Sequence, residues 1–513
     1  MLARRFRTSL ASCPLCVART APLRLASTSS TRPSSIPAPV VDLADVLTQP
    51  DTVKRNLRER KYPFAPEHVD QLRDMEVEAV GLRKDLQRAR ERRNAVSAAP
   101  KGDLDARKEA AEVKKLVKQL EPRLSSLSKS IQALALQLPN LSHADVPVGG
   151  EENARLVKTI GPLIPSPDPP VEPARDHLAL SSPANLGWTD FPSSSLTTGS
   201  SWPLLLNEAA LLELALTNYA MSVALSHGFT PALTPDVVRS DVSERCGFRP
   251  RDGDAQQTYF LSDGESTSTL CLAGTAEIPL VAMSAAQTFR ADQLPLKHVA
   301  LGRAFRAEAG ARGADSRGLY RVHQFSKVEM VVVCAEDESN ALLEELRAIQ
   351  EKILGGLGLS LRVLDMPTEE LGASAHRKYD IEAWMPGRGK WGELSSASNC
   401  TDYQSRRLGI RYRPSASPSP PSPPSPPSSS SAVSDRPAPP PKLTYAHTLN
   451  GTAAAIPRLI VALLENGALV DAQTGAVARV RLPAVLRPFW LGKEGRTERR
   501  IEWVDEGEAL RQA

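Results

Sequence analysis

Apolar positions along the chain follow two rhythms. From about Pro66 to Leu138 the first is helical: Leu72, Met75, Ala79, Leu82, Leu86 and Ala89 recur at alternating spacings of three and four. After Pro100-Lys101-Gly102 it resumes in Val113, Val117, Leu120, Leu124, Leu127, Ile131, Leu134 and Leu138. Two heptad seams joined by a Pro/Gly turn predict an antiparallel coiled-coil hairpin. With about 30 residues per limb and a rise of about 1.5 Å each, the arm is on the order of 45 Å long and has no core beyond its seam. Pro122 should bend the second limb. The second rhythm, beyond Trp202, is mixed. A helical pattern from Leu204 to Ser226 is followed by strand-like runs at His298 to Leu301 and Val328 to Val333, and again at Tyr379 to Trp384 and Trp391 to Leu394. This uneven order predicts an α+β domain with a mostly antiparallel β-sheet flanked by helices, rather than regular βαβ winding.

The remaining segments are read as connections and tails. Residues 151–200 are short Pro/Gly/Asp-punctuated pieces, a connector into a domain spanning 201–490. Pro414 to Pro441 is almost wholly Pro and Ser; it cannot bury apolar area and is expected to loop out of that domain as a disordered insertion. Residues 491–513 read as a polar tail without a role.

Length and charge refine this division. At 513 residues the chain has room for two or three domains. No run approaches the roughly 18 uninterrupted apolar residues of a bilayer span; even Leu204 to Leu216 is broken by Asn207, Glu208 and Glu213, so no membrane partner is expected. The net charge of +4 is unevenly spread. The first 41 residues hold six arginines and no Asp, Glu or Lys, whereas Lys54 to Ala133 holds 20 basic and 13 acidic side chains. A polyanion-binding surface is therefore local to the arm. Residues 1–35, rich in Arg, Ser, Thr and Ala, have the composition of a mitochondrial transit peptide and direct the mature chain to the matrix; a disordered basic tail is the alternative. The six cysteines are scattered, which suits reduced thiols better than a disulfide framework. Cys13-Pro14-Leu15-Cys16 has no second pair to complete a zinc site.

Several motif matches lack their context. Gly387-Arg388-Gly389-Lys390-Trp391-Gly392 fits a dinucleotide-binding glycine pattern, yet no helix opens after it to face a pyrophosphate. No metal-ligand cluster with usable spacing is present. More informative is Phe305-Arg306-Ala307-Glu308, then a glycine-rich loop through Gly318, then Arg321-Val322-His323-Gln324-Phe325-Ser326-Lys327-Val328-Glu329. An antiparallel hairpin would set an arginine for bidentate phosphate contact against Phe325 as a stacking face, with Glu308 as acceptor for an exocyclic amine. Such parts assemble an ATP site without a P-loop; in isolation they also describe a salt-bridged surface hairpin.

With these blocks the chain resembles the seryl-tRNA synthetases, class II aminoacyl-tRNA synthetases, and its head resembles that of their mitochondrial members. Gly228-Phe229-Thr230-Pro231 through Pro235 is similar to the first class II motif, Phe305 to Glu308 with Val322 to Glu329 to the second, and Asn450-Gly451-Thr452-Ala453-Ala454-Ala455-Ile456-Pro457-Arg458 to the third. Leu272 to Glu277 carries the T-A-E block, and Trp391 to Ser396 with Asn399 to Gln404 the block before the third motif. The resemblance implies a homodimer whose N-terminal domain (40–150, arm about 66–138) lies along tRNA(Ser), and a catalytic domain that joins L-serine to tRNA through seryl-adenylate. It implies that Arg306, Arg458 and Glu393 are catalytic. ATP would lie against Arg306, Ala307, Glu308, Val322, His323, Gln324, Phe325, Glu393, Leu394, Ser395, Ser396 and Arg458, with Mg²⁺ on Glu393 and Ser396. Thr275 and Glu277 would take the serine ammonium, Arg306 its carboxylate, and Glu329 with Asn450 and Thr452 its hydroxyl. The Pro/Ser insertion and Pro122 depart from the family pattern. A non-catalytic copy kept as an RNA- or protein-binding module is the rival reading; the presence of Arg306, Glu308, Glu329, Glu393 and Arg458 speaks against it, because buried charges destabilise when nothing binds them.

Overall fold

The computed structural model describes residues 36–97, 104–164, 169–248, 257–261, 270–307, 317–414, 442–471, 473–492, 500–505 and 510. The transit-like head, the turn of the arm, Glu308 and nearly all of the Pro/Ser insertion lie outside these residues. Helices α1 (Glu67–Ser97) and α2 (Leu104–Ala135) pack along each other as the predicted hairpin. The seam is the expected one: Leu72, Ala79, Leu82, Leu86 and Ala89 are buried from the first limb, Val113, Val117 and Ile131 from the second. Exposed ion pairs cross between the limbs, Arg90–Glu121 at 2.8 Å and Arg123–Glu78 at 2.6 Å. Being exposed they add little energy, but they select the register. Helix α2 runs through Pro122, which faces solvent, so the carbonyl of Lys118 that loses its partner can be hydrated.

Among the described residues the main sheet has eight strands: β1 (Arg155–Ile160), β2 (Thr230–Leu233), β3 (Leu296–Phe305), β4 (Gln324–Cys334), β5 (Leu361–Asp365), β6 (Arg377–Met385), β7 (Lys390–Asn399) and β8 (His447–Ala455). Their spatial order is β1-β5-β6-β7-β8-β4-β3-β2, antiparallel throughout except for β2 on β3. The long helices α3 (Asn207–Ser226), α4 (Ser339–Gly355) and α5 (Ile456–Gly467) pack against the sheet. Among the described residues α3 is the one helix long and apolar enough to cross a bilayer; here it is a core element, with Leu212, Ala215, Leu216 and Ala220 inaccessible.

Strand β4 explains how one sheet serves two purposes. Val328, Met330, Val332 and Cys334 enter the helical core, whereas Val331 and Val333 belong to a separate cluster on the other face. The alternation of a strand puts Phe325, Lys327 and Glu329 on that second face.

Two stretches differ from the sequence reading. The presumed connector 151–200 supplies the edge strand β1, whose side chains are mostly exposed and so show no apolar alternation, and it also supplies the buried His177 and Trp188. The presumed polar tail is not merely a tail. Ile501–Val504 pairs in parallel with Val477–Pro483, completing a small sheet with Ala468–Val470. Trp503 lies edge-on to the buried Trp490 at 5.6 Å. Four residues among charges carry too little pattern to announce a strand.

The base of the arm is fastened to the sheet-bearing region by polar groups. Buried Arg60 donates to the carbonyls of Gly372 (2.8 Å) and Ala375 (2.9 Å). The Asn140 amide donates to the carbonyls of Ser374 and Cys400 and to the Thr401 hydroxyl, each at 2.9 Å.

Candidate active site

Two β-bulges aim the polar side chains. In the β6–β7 pair Glu382 faces Glu393 and Ile381 faces Ser395, leaving Leu394 without an opposite number; Asp380 then faces Ser396. The extra residue brings Glu393 and Ser396, three positions apart, to the same face, where strict alternation would have separated them. In the β8–β4 pair Thr452 faces Glu329 and Ala454 faces Val328, so Ala453 is the extra residue. Strand β8 passes directly into α5, whose Pro457 fixes the first turn and whose Arg458 follows. A cation at a helix N-terminus opposes the helix dipole, which marks a position chosen for something other than stability.

These elements wall a cleft of about 360 Å³. Arg306, Phe325, Lys327, Glu393, Ser396, Thr452 and Arg458 all reach it, along with Leu394, Val322 and the Leu319-Tyr320-Arg321 turn. The Arg306 guanidinium lies 5.4 Å from the Phe325 ring, and that of Arg458 lies 4.8 Å from the Tyr320 ring. Arg458 Nη1 is 3.4 Å from Glu393 Oε2 and donates to the Glu393 carbonyl at 3.0 Å. Burial would raise the Glu393 carboxyl, but Arg458, Lys378 and Arg306 outweigh it and hold it below the usual carboxylate range. Its neighbour Asp380 is pushed the other way by burial and by the Glu393 charge, against the pull of Lys378 at 2.7 Å.

Deeper in, Glu329 is 1% exposed. Its Oε2 accepts from the hydroxyls of Thr275 (3.3 Å) and Thr452 (3.4 Å) and pairs with Lys327 Nζ at 2.6 Å. Glu277 Oε1 accepts from Gln404 (2.6 Å) and Asn450 (3.0 Å). Burial and the Glu329 charge push the Glu277 carboxyl up to about 7, with Gln404, Lys327 and Arg306 resisting. Burial also pushes the thiols of Cys246 and Cys400 upward, so both stay protonated.

Most of the residues singled out from sequence therefore converge. Some are turned elsewhere. The His323 ring bonds the Tyr259 hydroxyl at 2.9 Å and stacks on Trp202, leaving its backbone carbonyl to hold Arg306 N at 2.9 Å. Gln324 is exposed and off the cleft wall; Ala307 donates its backbone N–H to Gln257. Ser395 spends its hydroxyl on the Thr452 carbonyl at 2.5 Å. Asn450 serves Glu277 rather than Glu329, and Glu308 is not among the described residues. Lys327, Tyr320, Arg321 and Gln404 were not singled out. Lys327 was findable, since it falls between Phe325 and Glu329 on one strand face.

Comparison with known proteins identifies the family. Residues 40–142 match the seryl-tRNA synthetase N-terminal domain, and residues 259–419 match the tRNA synthetase class II core domain (G, H, P, S and T). The serine–tRNA ligase of Treponema denticola is 38% identical over 446 residues, 86% of this chain and 96% of that protein. The chain belongs to the seryl-tRNA synthetase family. Mitochondrial serine–tRNA ligases are among its relatives: that of Schizosaccharomyces pombe is 39% identical over 74% of this chain and 72% of that protein. A solved seryl-tRNA synthetase from Pyrococcus horikoshii, complexed with ATP, is 31% identical and superimposes with a TM-score of 0.73 over 88% of this chain and 98% of that one. The protein is thus a serine–tRNA ligase, an ATP-dependent aminoacyl-tRNA synthetase, and the rival reading as a non-catalytic copy falls away. As in any seryl-tRNA synthetase, its substrates are serine, ATP and tRNA(Ser).

Proposed function

We propose that the cleft between β3, β4, β7, β8 and α5 holds ATP beside serine and that its named residues divide the work of adenylate formation. The observation that carries this reading is the convergence of Arg306, Arg458, Glu393 and Glu329, distant in sequence, on one cleft and its floor. In the first step a serine carboxylate oxygen bonds to the α-phosphorus as the bond to pyrophosphate breaks. Two anions must meet, and Arg306 neutralises both at the point of reaction. Arg458 takes the outer phosphates, and Phe325 stacks on adenine beneath Arg306. Positioning and charge neutralisation supply most of such a rate, so no side-chain nucleophile is needed. In the second step a terminal ribose hydroxyl of the tRNA attacks the seryl carbonyl and AMP leaves.

Serine would sit on the floor, its hydroxyl on Glu329 and Thr452 and its ammonium on Thr275 and Glu277. Alanine has no hydroxyl to offer Glu329 and Thr452 and forfeits those hydrogen bonds, which disfavours it. Mg²⁺ suits Glu393 and Ser396: both are hard oxygen donors aimed at the cleft by the Leu394 bulge, Glu393 is held ionised, and the buried Asp380 Oδ1 beside them has no hydrogen-bond partner. When bound, the ion would neutralise triphosphate charge.

The homodimer reading rests on the edge strand β2, where Leu233 is 92% exposed. That of a matrix enzyme rests on the Arg-rich head and the mitochondrial relatives. The test is ATP–pyrophosphate exchange by the chain begun near Ser35, followed by aminoacylation of organellar and cytosolic serine tRNA. Exchange should require serine, fall at least 100-fold in Arg306→Ala and Arg458→Ala, and lead to charging of organellar tRNA. Variants that retain wild-type exchange would overturn the site assignment.

A further inference from the structure

We propose that His177 is a positioning residue for the ATP side of the cleft, holding the Leu319-Tyr320-Arg321 wall against the helix that carries Arg458. It rests on the reading that ATP occupies this cleft. His177 is 2% exposed and lies in the stretch expected to be a mere connector. Its Nε2 is 3.3 Å from the backbone N of Leu319 and its Nδ1 is 3.1 Å from Glu465 Oε1. A backbone N–H can only donate, so Nε2 is the acceptor. The ring proton therefore sits on Nδ1 and is donated to Glu465, which fixes a neutral imidazole in one tautomer.

Glu465 is fully buried and fully used. Oε1 also receives the His177 backbone N–H at 3.3 Å, and Oε2 receives that of Gly387 at 2.8 Å. Gly387 lies in the turn that leads into β7 and hence to Glu393. Glu465 and Arg458 are seven residues apart on α5, two turns along one helix face. His177 and Glu465 together thus join three parts of the cleft: the helix bearing Arg458, the turn before Glu393, which Glu465 holds, and the wall at Leu319, which the imidazole holds. The wall in turn meets Arg458 directly, since Arg458 Nε donates to the Tyr320 carbonyl at 3.4 Å and its guanidinium lies over the Tyr320 ring. Gly318 fits the device. It has φ +66, and a Cβ there would stand 2.2 Å from His177 Nε2, so the ring can approach only a glycine.

His177→Asn isolates the contact, because its amide can still donate to Glu465 while the acceptor for Leu319 is lost. Serine-dependent ATP–pyrophosphate exchange is measured with ATP and serine varied in turn, alongside thermal unfolding. The KM for ATP should rise about five- to tenfold, the worth of one buried hydrogen bond, with the KM for serine and kcat within about twofold. Glu465→Gln, which keeps one acceptor oxygen, should shift the KM for ATP in the same direction by less. A folded His177→Asn protein with unchanged KM for ATP overturns the proposal, as does a rise of both KM values together with a lowered Tm. If His177→Asn does not fold, unchanged KM for ATP in Glu465→Gln overturns it. Should Arg458→Ala weaken ATP binding while His177→Asn does not, only this inference falls. Should neither do so, the ATP reading of the cleft falls with it.

Discussion

Glu277 is a carboxyl raised to about 7 in a place where, on the proposed reading, it must meet an ammonium as a carboxylate. The charged groups facing it are Glu329, Lys327 and Arg306, with the protonated thiols of Cys246 and Cys400 nearby. The folded protein therefore binds a proton between the ordinary value of 4.5 and about 7 that the unfolded chain has released. Through this group alone stability falls as pH rises across that window. Serine binding should work against the proton, so the KM for serine should increase as pH drops below about 7. A pH series of exchange kinetics checks this; Glu277→Gln should bind serine poorly and lose that pH dependence. Glu329, buried nearby, pairs with Lys327, two residues earlier on one strand face. That pairing was legible from alternation alone. The partnership of Glu277 with Gln404 and Asn450, across 127 and 173 positions, was not, because nothing local links them.

At the level of elements, regular periodicity was readable and its interruptions were not. The heptads of the arm foretold the limbs Glu67–Ser97 and Leu104–Ala135, and the apolar runs foretold the central strands. The bulges at Leu394 and Ala453 decide which side chains face the cleft, yet a bulge leaves no mark in a single sequence, since it is a mismatch between two strands. Only the resemblance, not the pattern, could place Glu393 and Ser396 together. The arm separates cleanly from this chemistry. Leu86 is 6% exposed and packs in the distal seam with Ala89, Val113 and Val117. Leu86→Ala should cost about 2–4 kcal/mol locally. The expected outcome is a several-fold rise in the KM for tRNA during aminoacylation, with pyrophosphate exchange unchanged.

Across the whole molecule, assembly and insertion can be tested independently. Replacing the protruding Leu233 at the sheet edge by Asp should yield monomers in sedimentation velocity and depress exchange at least tenfold if the paired form is the active one. The Pro/Ser segment should have no such effect. Arg411 pairs with Tyr445 and Tyr412 with Thr444, so the chain leaves and re-enters the domain at neighbouring points of one ladder. Deleting residues 416–440 should therefore leave the exchange rate and the Tm near those of the intact protein. The same adjacency makes this junction a natural splice port. A fluorescent protein whose own ends lie close together, grafted between Pro414 and Lys442, would travel with a working ligase and report its address in living cells.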